Sequence, residues 1–240
     1  METEILGAVV HGVTMEEAVN RIKEFIEAGS PHQVITLNAE ILYRATREPE
    51  LMDLIRRADL VTPDGAGILW AARKLGHPLP ERVTGIDLML AIAKEAPAHG
   101  WRLFLYGGAP GVAEKAAHNL RQAHPGIDIA GTAHGYLSPE EQEELKEQIR
   151  QARPHILLVA LGAPKQEYWI RDNLPALGVP VAIGVGGSFD VISGNVKRAP
   201  VWMQKAHLEW LYRLIKEPRR YKRMLALPKF MAVVLKESRR

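Results

Sequence analysis

The 240-residue chain contains no cysteine, which excludes disulfides and thiolate metal centres and is compatible with a reducing compartment. No uncharged run reaches the ~20 residues that a bilayer-spanning helix needs. The late apolar stretch 225–235 is interrupted by Pro228 and Lys229. The opening Met1-Glu2-Thr3-Glu4 has neither the basic start nor the apolar run of a signal peptide, so a cytoplasmic protein, at most peripheral to a membrane, is expected. Signatures of cofactor chemistry are missing too. There is no Asp-x-Asp to hold a divalent ion on a diphosphate, and the nine histidines show no His-x-x-x-His spacing. No Gly-x-x-x-x-Gly-Lys-Ser/Thr loop is present, which argues against NTP hydrolysis. Gly107-Gly108-Ala109-Pro110-Gly111 lacks the dinucleotide spacing, and Asp128, about twenty residues on, is a weak match to a ribose-binding acid.

What is present is unevenly distributed. Residues 197–240 carry 13 Lys and Arg against 3 Glu, whereas the preceding part carries 18 basic and 25 acidic residues. Trp202, Trp210, Tyr212, Tyr221 and Phe230 lie in the same basic segment. An acidic body with a basic, aromatic-studded end suits a domain held against an anionic surface. Charge alone leaves both a membrane and a nucleic acid open.

Short β-branched runs at 5–10, 33–37, 60–62, 101–106, 127–131, 156–161 and 181–185 alternate with helical patterns, which predicts an α/β fold with a mostly parallel sheet flanked by helices. Thr14 with Glu17, and Ser138 with Pro139 and Glu141, read as capping boxes. From about Val201 the pattern is purely helical, with Pro218 and Pro228 as breaks. All seven predicted strands precede that point, so the sheet is expected not to need the tail.

Five polar clusters fall at predicted strand ends, where ligands of an open parallel sheet bind. Thr36-Leu37-Asn38 offers two hydrogen-bonding side chains, although Asn38 alone reads as a helix cap. Thr62-Pro63-Asp64-Gly65 places a carboxylate at the sheet mouth, although Asp-Gly alone is usually a turn. Residues 81–87 form a polar loop with Arg82 leading into a helix. Gly162-Ala163-Pro164-Lys165-Gln166-Glu167 puts helix-terminal amides and a lysine together, a setting that favours phosphate. Gly184-Val185-Gly186-Gly187 through Asp190 to Lys197-Arg198 allows close backbone approach and supplies cations for a diphosphate.

Taken in order, these clusters, with Glu209-Trp210-Leu211-x-Arg213 and Glu217-Pro218-x-Arg220, resemble the WecG/TagA/CpsF family of bacterial glycosyltransferases. The resemblance runs from residue 36 to residue 220. It implies a Rossmann-like catalytic domain over 1–200 and a basic helical, membrane-associating appendage over 201–240. It further implies an inverting transferase that uses no metal or other cofactor. Such an enzyme moves N-acetylmannosamine from a UDP donor to a polyprenyl-diphosphate-linked N-acetylglucosamine in wall teichoic acid or related cell-surface polymer synthesis. Carried over by motif, Asp64 is the expected base, with Thr36 and Asn38 beside it. Substrate contacts are expected from Arg82, Gly107, Gly108, Gly162, Lys165, Gln166, Gly186, Gly187, Asp190, Lys197 and Arg198, completed from the appendage by Arg213, Arg220 and Arg223. The expected partners are the nucleotide-sugar, the lipid-linked acceptor and the anionic inner face of the cell membrane, not nucleic acid. Self-association is also possible should the tail detach and leave an apolar face.

Overall fold

The computed structural model describes residues 2–206, 208–216, 221 and 225–239, without the side chains of Lys205 and Arg213. A small antiparallel hairpin comes first, β1 (Glu2–Ile5) and β2 (Ala8–His11), followed by α1 (Met15–Ala28). Then come β3 (His32–Leu37), α2 (Ala39–Ala45), α3 (Pro49–Arg57), β4 (Leu60–Pro63), α4 (Ala66–Lys74) and α5 (Gly85–His99). The central part holds β5 (Arg102–Gly107), α6 (Val112–Ala123), β6 (Asp128–Ala133), α7 (Pro139–Ala152), β7 (Ile156–Ala160) and α8 (Lys165–Leu177). The chain continues through β8 (Val181–Gly184), α9 (Ser188–Ile192), α10 (Val201–Lys205), α11 (Glu209–Lys216) and α12 (Ala226–Glu237).

The main sheet has six parallel strands in the order β4-β3-β8-β7-β5-β6. Six of the seven expected strands build it. The run 5–10 does not join it, because Leu6 and Gly7 both adopt positive φ, 51° and 87°, and fold the run into a two-residue hairpin turn.

Alternation along the strands sorts the core into two faces. Val34, Leu60, Leu103, Leu105, Ile156, Leu158, Val181 and Ile183 pack under α1, α5, α6 and α9. Their neighbours Ile35, Leu37, Val61, Leu157, Val159 and Ala182 point the other way, under α2, α3, α4, α7 and α8. Helix entry is set locally. Thr14 and Ser138 each complete a capping box, and Asn38 Oδ1 accepts the Glu40 and Ile41 amides to start α2.

The connection after β5 runs one way across the sheet and that after β7 the other, so their carboxyl ends flank a switch point. The tail is not peripheral along its whole length. Pro228 sits in the first turn of α12, where proline is tolerated, and Phe230 and Val234 are fully buried in the cluster that packs α2 and α4. Pro218 lies outside the described residues.

Candidate active site

Read across the sheet, the carboxyl ends carry Asp64 after β4, Thr36 and Asn38 at β3, Val185-Gly186-Gly187 after β8, Gly162 to Lys165 after β7, and Gly107-Gly108 at β5. At ~4.8 Å per strand spacing, this row spans about 20 Å along one edge. Sequence motifs far apart in the chain are thus placed on one rim.

Asp64 is half-buried in the turn between β4 and α4. Its amide donates to the Leu37 carbonyl at 2.8 Å, and its Oδ2 accepts the Gly85 amide at 3.2 Å. Gly85 opens α5 and is pressed so close that an added Cβ would lie 3.1 Å from Thr36 Oγ1 and 3.5 Å from Val185 Cα. Thr36, 5% exposed, donates its hydroxyl to the Gly184 carbonyl at 2.9 Å. It therefore ties β3 to β8 beneath the carboxylate, while Asn38 is engaged as the α2 cap. Asp64 thus presents a half-buried carboxylate at this mouth, between the framework contacts made by Thr36 and Asn38.

Arg82 and Arg198 meet two carboxylates that the motif reading assigned no role. Arg198 binds Asp87 bidentately, Nη1 to Oδ1 at 2.7 Å and Nη2 to Oδ2 at 2.9 Å. Its Nε donates to Glu209 Oε1 at 3.3 Å, and Arg82 Nη1 donates to Glu209 Oε2 at 2.9 Å. Thr84 Oγ1 donates to Asp87 Oδ2 at 2.6 Å while capping α5. Burial alone would raise the Asp87 carboxyl, but hydrogen bonds from Arg198 and Thr84, with the charges of Arg198 and Arg82, hold it below its ordinary value. The network joins α11 to the loop that orients Asp64. Both acids lie inside the quoted motifs, but no acid adjoins Arg198 in the chain and the acid beside Arg82 is not its partner, so the pairing has no local signal.

The glycines divide by cause. At Gly107 an added Cβ would collide with the Ala160 carbonyl, so close packing of β5 on β7 demands glycine there. Gly162 and Gly186 have φ of 78° and 53° and nothing within 4 Å of an added Cβ, so their backbone faces open space. Lys165 and Lys197 are exposed. A Cβ on Gly187 would stand 3.9 Å from Asp190 Oδ2. Gln166 is 2% exposed, and its Oε1 accepts the Gly186 amide at 3.0 Å. Arg213 belongs to α11, but its side chain, and Arg220 and Arg223 altogether, lie outside the described residues.

Glu167 is the buried acid next to this rim. It is 1% exposed, and desolvation raises its carboxyl above the ordinary value against the opposing bond from Gln166. The unfolded chain therefore ionises first as pH rises, and this group costs native stability from the carboxylate range upward. Glu167→Gln removes that cost. Its melting temperature should match or trail wild type near pH 4 and gain on it as pH rises toward 8, levelling off above the raised value. Melts across this range check the sign; a difference that does not grow with pH would show that the carboxyl is ionised at little cost.

Comparison with known proteins places the chain. A sequence model described as the glycosyl transferase WecG/TagA/CpsF family matches residues 3–240. A Bacillus spizizenii protein named N-acetylglucosaminyldiphosphoundecaprenol N-acetyl-beta-D-mannosaminyltransferase is 39% identical over 206 residues, 86% of this chain and 79% of that one. A Bacillus subtilis (strain 168) protein of the same name is 37% identical over 217 residues, 90% and 84% of the two chains. One from Staphylococcus aureus (strain MW2), also so named, is 34% identical over 241 aligned residues, 100% and 94% of the two chains.

Proposed function

The chain belongs to the WecG/TagA/CpsF family of glycosyl transferases, and from that premise we propose that it transfers N-acetylmannosamine from UDP to undecaprenyl-diphosphate-linked N-acetylglucosamine. The reaction serves the linkage unit of wall teichoic acid or a related cell-surface polymer. The observation that carries the reading is the placement of Asp64 at the mouth of a parallel sheet whose adjoining strand ends hold the glycine turns and Lys165.

In this reading Asp64 takes the proton of the acceptor hydroxyl as its oxygen attacks the anomeric carbon, and UDP departs from the opposite face with its bonding electron pair. The configuration inverts. Charge on the leaving diphosphate is met by Lys165 and Lys197, by the amides opening α8 and, from the appendage, by Arg213, Arg220 and Arg223. Arg82 and Arg198 are compensated by Glu209 and Asp87 in the structure, so their part is to seat the appendage beside the site.

The appendage, residues 201–240, would hold the enzyme at the inner membrane face. Val201, Trp202, Trp210, Ile215, Tyr221, Leu225, Met231 and Leu235 are all exposed there, interleaved with Lys and Arg. Among the described residues no helix is long and apolar enough to cross a membrane, so helices lying in the interface are the mode that fits.

Turnover of a panel of UDP-sugars with a lipid-diphosphate N-acetylglucosamine acceptor tests the assignment. The N-acetylmannosamine donor should be the best substrate, and its initial rate should survive EDTA, because no group of His, Asp or Glu suited to a metal occurs among the described residues. A strict requirement for added Mg²⁺ or Mn²⁺ would sink the charge assignment. A different preferred sugar would sink the donor assignment.

A further inference from the structure

One carboxyl next to the rim has a structural cost and no part in the transfer as set out above. Glu167 is almost wholly buried, and its Oε2 has no hydrogen-bond partner among the described residues. A buried polar group left unmet is destabilising, so packing gives no reason for an acid here. Its other oxygen is employed. Glu167 Oε1 accepts Gln166 Nε2 at 2.8 Å, and Gln166 Oε1 accepts the Gly186 amide at 3.0 Å.

The direction of the Gln166 amide follows from chemistry. The Gly186 N–H can only donate, so the carbonyl end of Gln166 must face it, and the amino end then needs an acceptor. Glu167 is that acceptor. Gln166 also lies flat over Gly184, where any Cβ would come within 2.5 Å of Nε2. The Glu167 backbone is pinned in turn, its carbonyl accepting Gln33 Nε2 from β3 at 3.0 Å. The relay runs from a fixed point on α8 to the turn after β8, where Gly186 stands at φ 53° with open space on its side-chain side. Without an acceptor at 167, the Gln166 amide is free to rotate and the Gly186 amide loses its tether.

We infer that Glu167 is a positioning residue that acts through Gln166 to hold the Gly186-Gly187 turn in the conformation that receives the diphosphate of the donor. The inference rests on the proposed transfer reaction for the identity of that ligand, and on the three side-chain and backbone contacts above for the relay. Glu167 itself touches no substrate.

Full-length wild type, Glu167→Met and Glu167→Gln would be compared by steady-state kinetics with the UDP-sugar, by UDP titration and by thermal melting at neutral pH. Methionine fills the volume without an acceptor. It should raise donor KM and UDP Kd about tenfold, with acceptor KM unchanged and melting temperature equal to or above wild type. Glutamine keeps a carbonyl oxygen for Gln166 and should restore donor KM to within about threefold of wild type. Greater stability with weaker donor binding is a combination that a packing role cannot produce. Unchanged donor KM in Glu167→Met overturns the relay, as does a loss of activity in both variants that follows a fall in melting temperature. Wild type that neither binds UDP nor turns over a UDP-sugar would instead refute the transfer reading.

Discussion

Asp64→Asn should bind UDP close to normally while transfer falls by ~10²–10⁴, the usual loss on removing a general base. The substitution is nearly isosteric, and an asparagine carbonyl can still accept the Gly85 amide that now bonds Oδ2 at 3.2 Å. The approach of α5 to β3 and β8 should survive, because it depends on the missing side chain of Gly85 and on the Thr36 bond to Gly184. What the variant cannot do is take a proton from the attacking hydroxyl at neutral pH. Initial rates and a UDP titration on the same preparation separate the two effects. Turnover near wild type would remove Asp64 from the role of base, and loss of UDP binding in parallel would make it a donor contact instead.

The rim was legible because each piece of it is a local signal. Asp64, Gly162, Lys165 and Gly186 announce themselves as glycines, a lysine or an acid just after β-branched runs, and a parallel sheet carries all such positions to one edge. Asn38 showed its other character equally plainly, since an Asn before a helical pattern is a cap before it is anything else. What sequence could not supply was pairing between distant segments. Arg82 and Arg198 look like anion ligands when read alone, and only the fold brings Glu209 and Asp87 against them. The hairpin was missed for a related reason. Residues 5–10 are apolar enough for a strand, and of the two turn positions with positive φ, Leu6 and Gly7, composition signals only the glycine.

The basic tail is the largest case of the same kind, and Phe230→Ala is its test. Charge marks residues 201–240 off as an appendage, yet α12 lays Phe230 and Val234, both 0% exposed, between α2 and α4. The seat is specific. An added Cβ on Gly67 of α4 would fall 2.9 Å from Ala39 Cβ of α2 and 3.9 Å from Phe230 Cε1, so a glycine lets the two helices close while the ring completes the packing. Truncating a fully buried phenylalanine to alanine costs about 3–5 kcal/mol, a large share of the roughly 5–15 kcal/mol that holds a domain together. A fall in melting temperature on the order of 10 °C is the expected result. Removing everything after Pro200 takes both anchors away and bares the apolar trough on α2 and α4, so that form should melt lower still and self-associate. Met231 and Leu235, on the exposed side of the same helix at 46% and 39%, give the contrast. Their replacement by serine should change the melt far less than Phe230→Ala and weaken binding to anionic liposomes, because both side chains are exposed whereas Phe230 is fully buried. A Phe230→Ala protein that melts within a degree or two of wild type would mean that α12 is dispensable to the body and serves the membrane alone.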